Sequence, residues 1–161
     1  MKHCKAPECN NEIEKGKFCS QECFQNYRKY YKPKKSLRKD VWKLMSEWVR
    51  RKDAGFNGMT RCYTCGNPVH WKEANAGHWK HGVSSASYLE EDNVRVQCVA
   101  CNQHRGGKLE EYTLKLLDEI GRERMERIRK LKHQTYSKDE IREKIKYYQK
   151  KVDNLNKDID L

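Results

Sequence analysis

The chain has 161 residues, 36% of them apolar and 36% charged, with a net charge of +12. That leaves room for one ordinary domain or a small core with helical extensions, and no run approaches the length of a membrane span. The basic excess favours a polyanionic partner, most simply nucleic acid, and the eight cysteines are the obvious staples for so polar a chain.

The first segment, 1–31, opens MKHCKAPECN, without the apolar stretch of a signal peptide. The expected compartment is therefore the reducing cytoplasm, where paired cysteines more often hold zinc than form disulfides. Cys4, Cys9, Cys19 and Cys23 read as the ligands of an N-terminal zinc finger, and the second pair leads into a short helix starting near Ser20. Lys32–Pro33–Lys34 breaks that helix.

Residues 32–58 read as a basic linker followed by an amphipathic helix. The stretch YRKYYKPKKSLRK, 27–39, carries seven basic residues and no acidic one, interleaved with Tyr27, Tyr30 and Tyr31. Phosphate neutralisation plus stacking suits that composition, so Lys32, Lys34, Lys35, Arg38 and Lys39 are the DNA-contact candidates; a solvated basic face is the plainer alternative. Leu37, Val41, Leu44, Met45 and Trp48 recur at helical spacing and predict a helix over about 36–53. Ser36 is its expected N-cap, and Gly55 falls just past its end.

Residues 59–107 hold the second cysteine set. Cys62-x2-Cys65 and Cys98-x2-Cys101 are two zinc half-sites, each presenting two thiolates from one tight turn. Such a site uses all four thiolates and cannot itself hydrolyse anything, so any catalytic centre lies elsewhere. The loop between the pairs contains His70, His78, His81 and Asn93, and Asn102 and His104 follow directly. NVRVQC alternates like a strand, AGHWK is its plausible partner, and a helix should begin after Cys98 and stop at Gly106–Gly107.

Residues 108–161 read as a charged helical extension. Ser137 to Glu140 form a capping box. Ile141, Ile145, Tyr148, Val152, Leu155 and Ile159 then make a short seam, suited either to a homodimer or to folding back on Leu116, Leu117, Ile120 and Ile128.

The order CxxC, His at a strand end, Asn opening the next strand, then CxxC followed directly by Asn resembles the zinc-containing HNH (ββα-metal) nucleases, with phage endonuclease VII as the pattern. Together with CKAPEC…FCSQEC at the N-terminus, CYTCG, AGHW and NVRVQCVACNQHRGGKLEEY resemble the NinG, or Rap, family of lambda-type phage recombination proteins. The resemblance implies a small zinc-stabilised α+β fold. Its parts would be a ββα-metal (HNH, treble-clef-like) core, an N-terminal zinc finger and helical extensions, in a phage- or prophage-encoded protein of a bacterial cytoplasm. It implies a metal-dependent endodeoxyribonuclease acting on branched DNA such as Holliday junctions and D-loops. In this family reading His78 is the general base, Asn93 pins the loop that orients it, and Asn102 holds a catalytic Mg²⁺ or Mn²⁺. Arg105 and Lys108 add DNA contacts beside the basic run. The acid expected just before the histidine is Gly77 here, and the acid expected three residues before it is Asn75. Either Asp92 or His104 then completes the metal shell, or metal affinity is low; His81 and His70 rank lower as ligands. The rival readings are a non-catalytic zinc protein that binds DNA or recombination factors, and a sequence-specific HNH endonuclease that cuts linear duplex.

Overall fold

The computed structural model describes residues 2–82, 86–131 and 136–157. It divides into two compact units, Met1–Arg38 and Lys39–Leu161. Among the described residues no helix is long and apolar enough to cross a membrane.

In the first unit, β1 (Lys2–His3) pairs antiparallel with β2 (Glu12–Ile13), and α1 spans Gln21–Tyr30. Ser20 caps α1 as its position predicts, its hydroxyl accepting from the Cys23 backbone N–H at 3.1 Å. Glu22 in the first turn and Arg28 and Lys29 in the last complement the helix dipole. No residue of α1 is buried, so two-residue strands and a short helix have almost no apolar core to share. Phe18 stacks near Phe24 and Tyr27, at 5.3 and 4.9 Å between ring centroids, and supplies part of what packing there is. The cysteines must do the rest.

The next helix, α2 (Lys34–Arg51), begins two residues earlier than Ser36 suggests. The Pro33 carbonyl accepts from the N–H of Ser36 at 2.9 Å and of Leu37 at 3.1 Å, so the helix opens on proline and Ser36 lies inside its first turn. Proline's fixed φ already matches a helix entry.

In the second unit, Val41, Met45 and Val49 form the inward row of α2 and are at most 1% exposed. Two hairpins follow. β3 (Met59–Arg61) pairs with β4 (Pro68–His70), and β5 (Asn75–His78) with β6 (Val94–Gln97), both antiparallel. The alternating VRVQ run is a strand as expected, but all four residues are buried. Its polar members are covered because they are paired. The Arg95 guanidinium donates to Glu119 from Nη2 at 2.8 Å and from Nε at 3.1 Å, and Gln97 Nε2 donates to Thr64 and Gly107.

After Cys98 the chain makes a π-helical turn, Ala100–His104, then a short turn at Gly106–Lys108, then α3 (Leu109–Lys130). Gly107 (φ 76°) provides the left-handed break that ends the first turn, where a side chain would be strained. α3 bends at Gly121 and lays Tyr112, Leu116, Met125 and Ile128 on Trp79, with Tyr63 and Ile120 at the margin.

α4 (Lys138–Lys157) starts in the reciprocal box that its sequence predicts: Ser137 N–H donates to Glu140 at 2.6 Å, and Glu140 N–H to the Ser137 hydroxyl at 3.1 Å. Its seam faces inward. Ile141, Tyr148 and Val152 are 0, 2 and 5% exposed, and Tyr148 packs on Trp48 of α2 at 6.2 Å between rings. Ile159 lies outside the described residues. Part of the seam is thus covered within the chain, with α2 as one neighbour, whereas Ile145 and Leu155 are half-buried, Leu116 and Ile128 pack with Trp79 and Leu117 is exposed.

Candidate metal and catalytic site

Two groups of four thiols converge among the described residues: Cys4, Cys9, Cys19 and Cys23 in the first unit, and Cys62, Cys65, Cys98 and Cys101 in the second. Within each group all sulfurs lie within 4.8 Å of one another. Sulfurs about 2.3 Å from a tetrahedral zinc are about 3.8 Å apart. Cys65 and Cys98 are at 3.9 Å, and Cys9 and Cys19 at 3.6 Å. Both groups can therefore bind a structural metal ion.

The second group is built by its turns. Gly66 (φ 74°) lets the chain double back so that its N–H reaches the Cys62 carbonyl at 2.8 Å, and Tyr63 N–H donates to Val96 O at 2.8 Å, tying this knuckle to β6. Burial pushes the Cys62 thiol up, but hydrogen bonds from the Cys65 backbone and the Thr64 hydroxyl outweigh it and bring the pKa down to about 6. A thiolate is thus available before metal arrives.

His78 ends β5 opposite Val94. Its ring packs against Trp42 at 4.7 Å and Tyr88 at 4.8 Å, both within about 20° of parallel, and those two rings also meet each other at 4.8 Å, so the three form one aromatic cluster. Nε2 sits 3.0 Å from the Tyr88 carbonyl. A carbonyl can only accept, so Nε2 carries the proton and Nδ1 keeps the lone pair. Burial moves the His78 pKa below its ordinary value of 6.5, partly opposed by the Tyr88 carbonyl, and His81 adds a repulsive charge in the same downward direction. The neutral imidazole is the form near pH 7.

Asn93 is fully buried and clasps the segment that leaves His78. Its Oδ1 accepts from Lys80 N–H at 2.8 Å, and its Nδ2 donates to the carbonyls of Lys80 at 3.0 Å and Ser87 at 2.8 Å. Trp79 N–H donates to the Asn93 carbonyl at 2.9 Å. Asn93→Ala is expected to lower stability by about 2–4 kcal/mol, because three backbone groups lose a buried partner. A denaturant melt reads this, and a loss below about 1 kcal/mol would mean water replaces the amide.

Asn102 is half-buried on the π-helical turn, and its side chain comes close to β5 at Gly77. A Cβ built on Gly77 would lie 2.8 Å from Asn102 Oδ1. Tyr112, buried on α3, donates its hydroxyl to the Gly77 carbonyl at 3.0 Å and holds the strand in place.

Of the two expected completions of the metal shell, Asp92 is engaged elsewhere and His104 stands exposed after the second thiol pair. Asp92 is 9% exposed, and both its oxygens are taken by guanidinium groups: Arg124 grips it bidentately and Arg127 donates at 3.1 Å. Its charge is already neutralised within the chain. His104 is exposed, and no hydrogen bond among the described residues ties it to His78 or Asn102. His81 is also exposed, and His70 belongs to the other hairpin, where its Nδ1 accepts from Lys72 N–H at 3.2 Å.

The basic candidates fall in two places. Lys32 precedes α2, and Lys34, Lys35, Arg38 and Lys39 occupy its first turns. Arg105 is exposed after the π-helical turn, whereas Lys108 is engaged with Glu111 at 2.5 Å.

A family model described as "Bacteriophage Lambda NinG protein" matches residues 21–158. The chain belongs to the NinG family. It is 31% identical over 137 residues to Protein ninG of Escherichia phage 933W, covering 78% of this chain and 67% of that protein. Against Protein ninG of Escherichia phage lambda the identity is 30% over 105 residues, covering 59% of this chain and 50% of the phage lambda protein. For Salmonella phage P22 it is 31% over 98 residues, covering 55% and 47%. The chain thus spans about half the length of the lambda and P22 relatives. No solved structure matches it.

Sequence reasoning misses several residues that shape the site of this NinG-family chain. Trp42 and Tyr88 pack against His78, Tyr112 anchors Gly77, and Gln97 reaches the space beside it. Of these, Gln97 stands directly before a metal-binding cysteine in the sequence.

Proposed function

We propose that this chain is a metal-dependent endodeoxyribonuclease of the ββα-metal (HNH) type, acting on branched DNA recombination intermediates, with zinc in both thiol groups. The observation that carries the reading is the setting of His78. A neutral imidazole, immobilised by two aromatic rings and fixed in one tautomer by the Tyr88 carbonyl, presents Nδ1 as a ready proton acceptor. Such a base removes a proton from water as the water attacks a phosphodiester near neutral pH. Asn93 restrains the chain after His78, and the zinc-bound knuckles hold both ends of the hairpin, so the base needs no reorganisation before reaction.

The donors on the Gly77 side are amide oxygens, Asn102 Oδ1 among them, which is the hard-ligand chemistry that Mg²⁺ or Mn²⁺ takes. A bound cation there stabilises charge on the scissile phosphate and the leaving oxygen. The residues present fit such an ion, with low affinity because they are neutral.

Incubation of the zinc-loaded protein with Mg²⁺ or Mn²⁺ and a four-way junction, a D-loop or linear duplex tests the reading. Cuts near the branch, with linear duplex intact, are expected. Equal cutting of linear duplex would replace it with a sequence-directed HNH activity, and no cutting under any condition would favour a DNA-binding accessory role.

DNA affinity is expected to fall steeply with salt, because neutralised phosphates release their counterions. Replacing Lys34, Lys35 and Arg38 together with glutamine should reduce the slope of log K against log[salt] by about 2 to 3. An unchanged slope would place the phosphate contacts elsewhere.

A further inference from the structure

Gly77 sits where a side chain would project toward Asn102, yet its space is already in use. A Cβ built there would lie 2.0 Å from Gln97 Oε1 and 2.8 Å from Asn102 Oδ1. Real Cβ atoms do not approach an oxygen so closely, so β6 fills from the side the volume that residue 77 leaves empty. Gln97 is fully buried, and its amide orientation is determined: Nε2 donates to Thr64 Oγ1 at 3.1 Å and to the Gly107 carbonyl at 2.8 Å. Turning the amide over would set oxygen against the Gly107 oxygen. Oε1 therefore points to the Gly77 side, where it is buried without a hydrogen-bond partner among the described residues. Asn75 lies directly opposite Gln97 in the strand register, and its Nδ2 is likewise buried and unpartnered. Buried polar atoms are ordinarily satisfied, so an open acceptor and an open donor on one face of one hairpin, the acceptor beside Asn102, point to a missing polar ligand.

We propose that Gln97 is a ligand of the divalent cation, delivering from β6 the oxygen that an acidic side chain at position 77 would otherwise supply. This rests on the nuclease reading. Asn102 Oδ1 is the second protein oxygen, while Asn75 offers the N–H donor Nδ2 on the same hairpin and is not itself a ligand. The set carries no formal charge. The protein alone therefore binds the cation weakly, and the anionic phosphate of the DNA supplies the missing charge. Gly77 is required because any side chain would expel the Gln97 oxygen.

The test uses Mn²⁺ as probe with the full chain, both thiol groups filled with zinc and the backbone amides followed by NMR. Paramagnetic broadening centred on residues 75–78, 97 and 102 is expected at millimolar Mn²⁺. Gln97→Met, which keeps the side-chain length and removes the oxygen, should abolish that broadening with zinc content unchanged. Gly77→Ala should do the same without altering Gln97 chemically. Asn75→Asp adds a charge to the same face and should lower the Mn²⁺ concentration needed by at least tenfold; it decides the matter should Gln97→Met fail to fold. Broadening that survives in Gln97→Met, or that centres elsewhere, overturns the proposal, as does an unchanged Mn²⁺ requirement in Asn75→Asp. No broadening in the wild type overturns it too, and means that water satisfies the pair. Mn²⁺ bound at these residues without cleavage of any DNA sinks the nuclease reading alone. Cleavage and broadening at Asn102 that are indifferent to Gln97 sink this assignment alone.

Discussion

Replacing Cys62 with serine is expected to unfold the second unit's hairpin module, not merely to loosen it. Cys62 and Cys101 are 2% and 0% exposed, and the strands they flank are three and four residues long. Isolated two-stranded hairpins are marginal in water. The apolar cluster around Trp79 and Tyr112 packs against these hairpins, so it depends on their geometry. Structural zinc contributes about 10–16 kcal/mol in small metal-dependent folds, comparable with or larger than the whole stability of a typical domain at about 5–15 kcal/mol. Losing it should lower the melting temperature by at least about 15 °C, read by near-ultraviolet dichroism, and a chelator should reproduce the loss in the wild type. Cys19→Ser should leave that transition in place, because Cys19 belongs to the other compact unit. A Cys62→Ser protein that melts like the wild type would refute a stapling role for this group.

His78→Ala should reduce cleavage of junction DNA by about 10²–10⁴-fold, the range of a positioned general base. The zinc content should not change, since His78 is not among the thiol ligands of either group. The pH profile separates catalysis from packing. Burial holds the His78 pKa below 6.5, so the base stays neutral and the rate stays flat as pH falls through the ordinary histidine value. The rate drops only when pH passes below the depressed pKa. Stability follows the same sign: the unfolded chain takes up the proton first, so this group's contribution is present above 6.5 and is lost as pH falls through the folded value. His78→Ala should remove that acid dependence from the difference between variant and wild-type melts. A variant purified free of host nucleases that cuts at the wild-type rate would end the assignment of His78 as base.

Much of the site is legible in the sequence because it is made of short-range features. The CxxC knuckles, the Ser20 cap, the Ser137–Glu140 box and the pairing of AGH with VRV each involve close neighbours or a simple period. The family resemblance that these motifs carry then singles out His78, Asn93 and Asn102. The partners those residues find are another matter. Trp42 precedes His78 by 36 positions, Arg124 follows Asp92 by 32, and Tyr148 meets Trp48 across 100. Asp92 looks like a spare acid until two arginines from α3 take it, and the α4 seam looks like a dimer face until α2 covers part of it. Gln97 reads as an outward-facing strand residue until β6 proves buried on both faces. Local pattern determined which residues occupy the hairpin and the metal knuckles. Only the packing of α2, α3 and α4 around them decided which charges are neutralised and which oxygens stay unpaired, because burial and pairing depend on groups far apart in the chain.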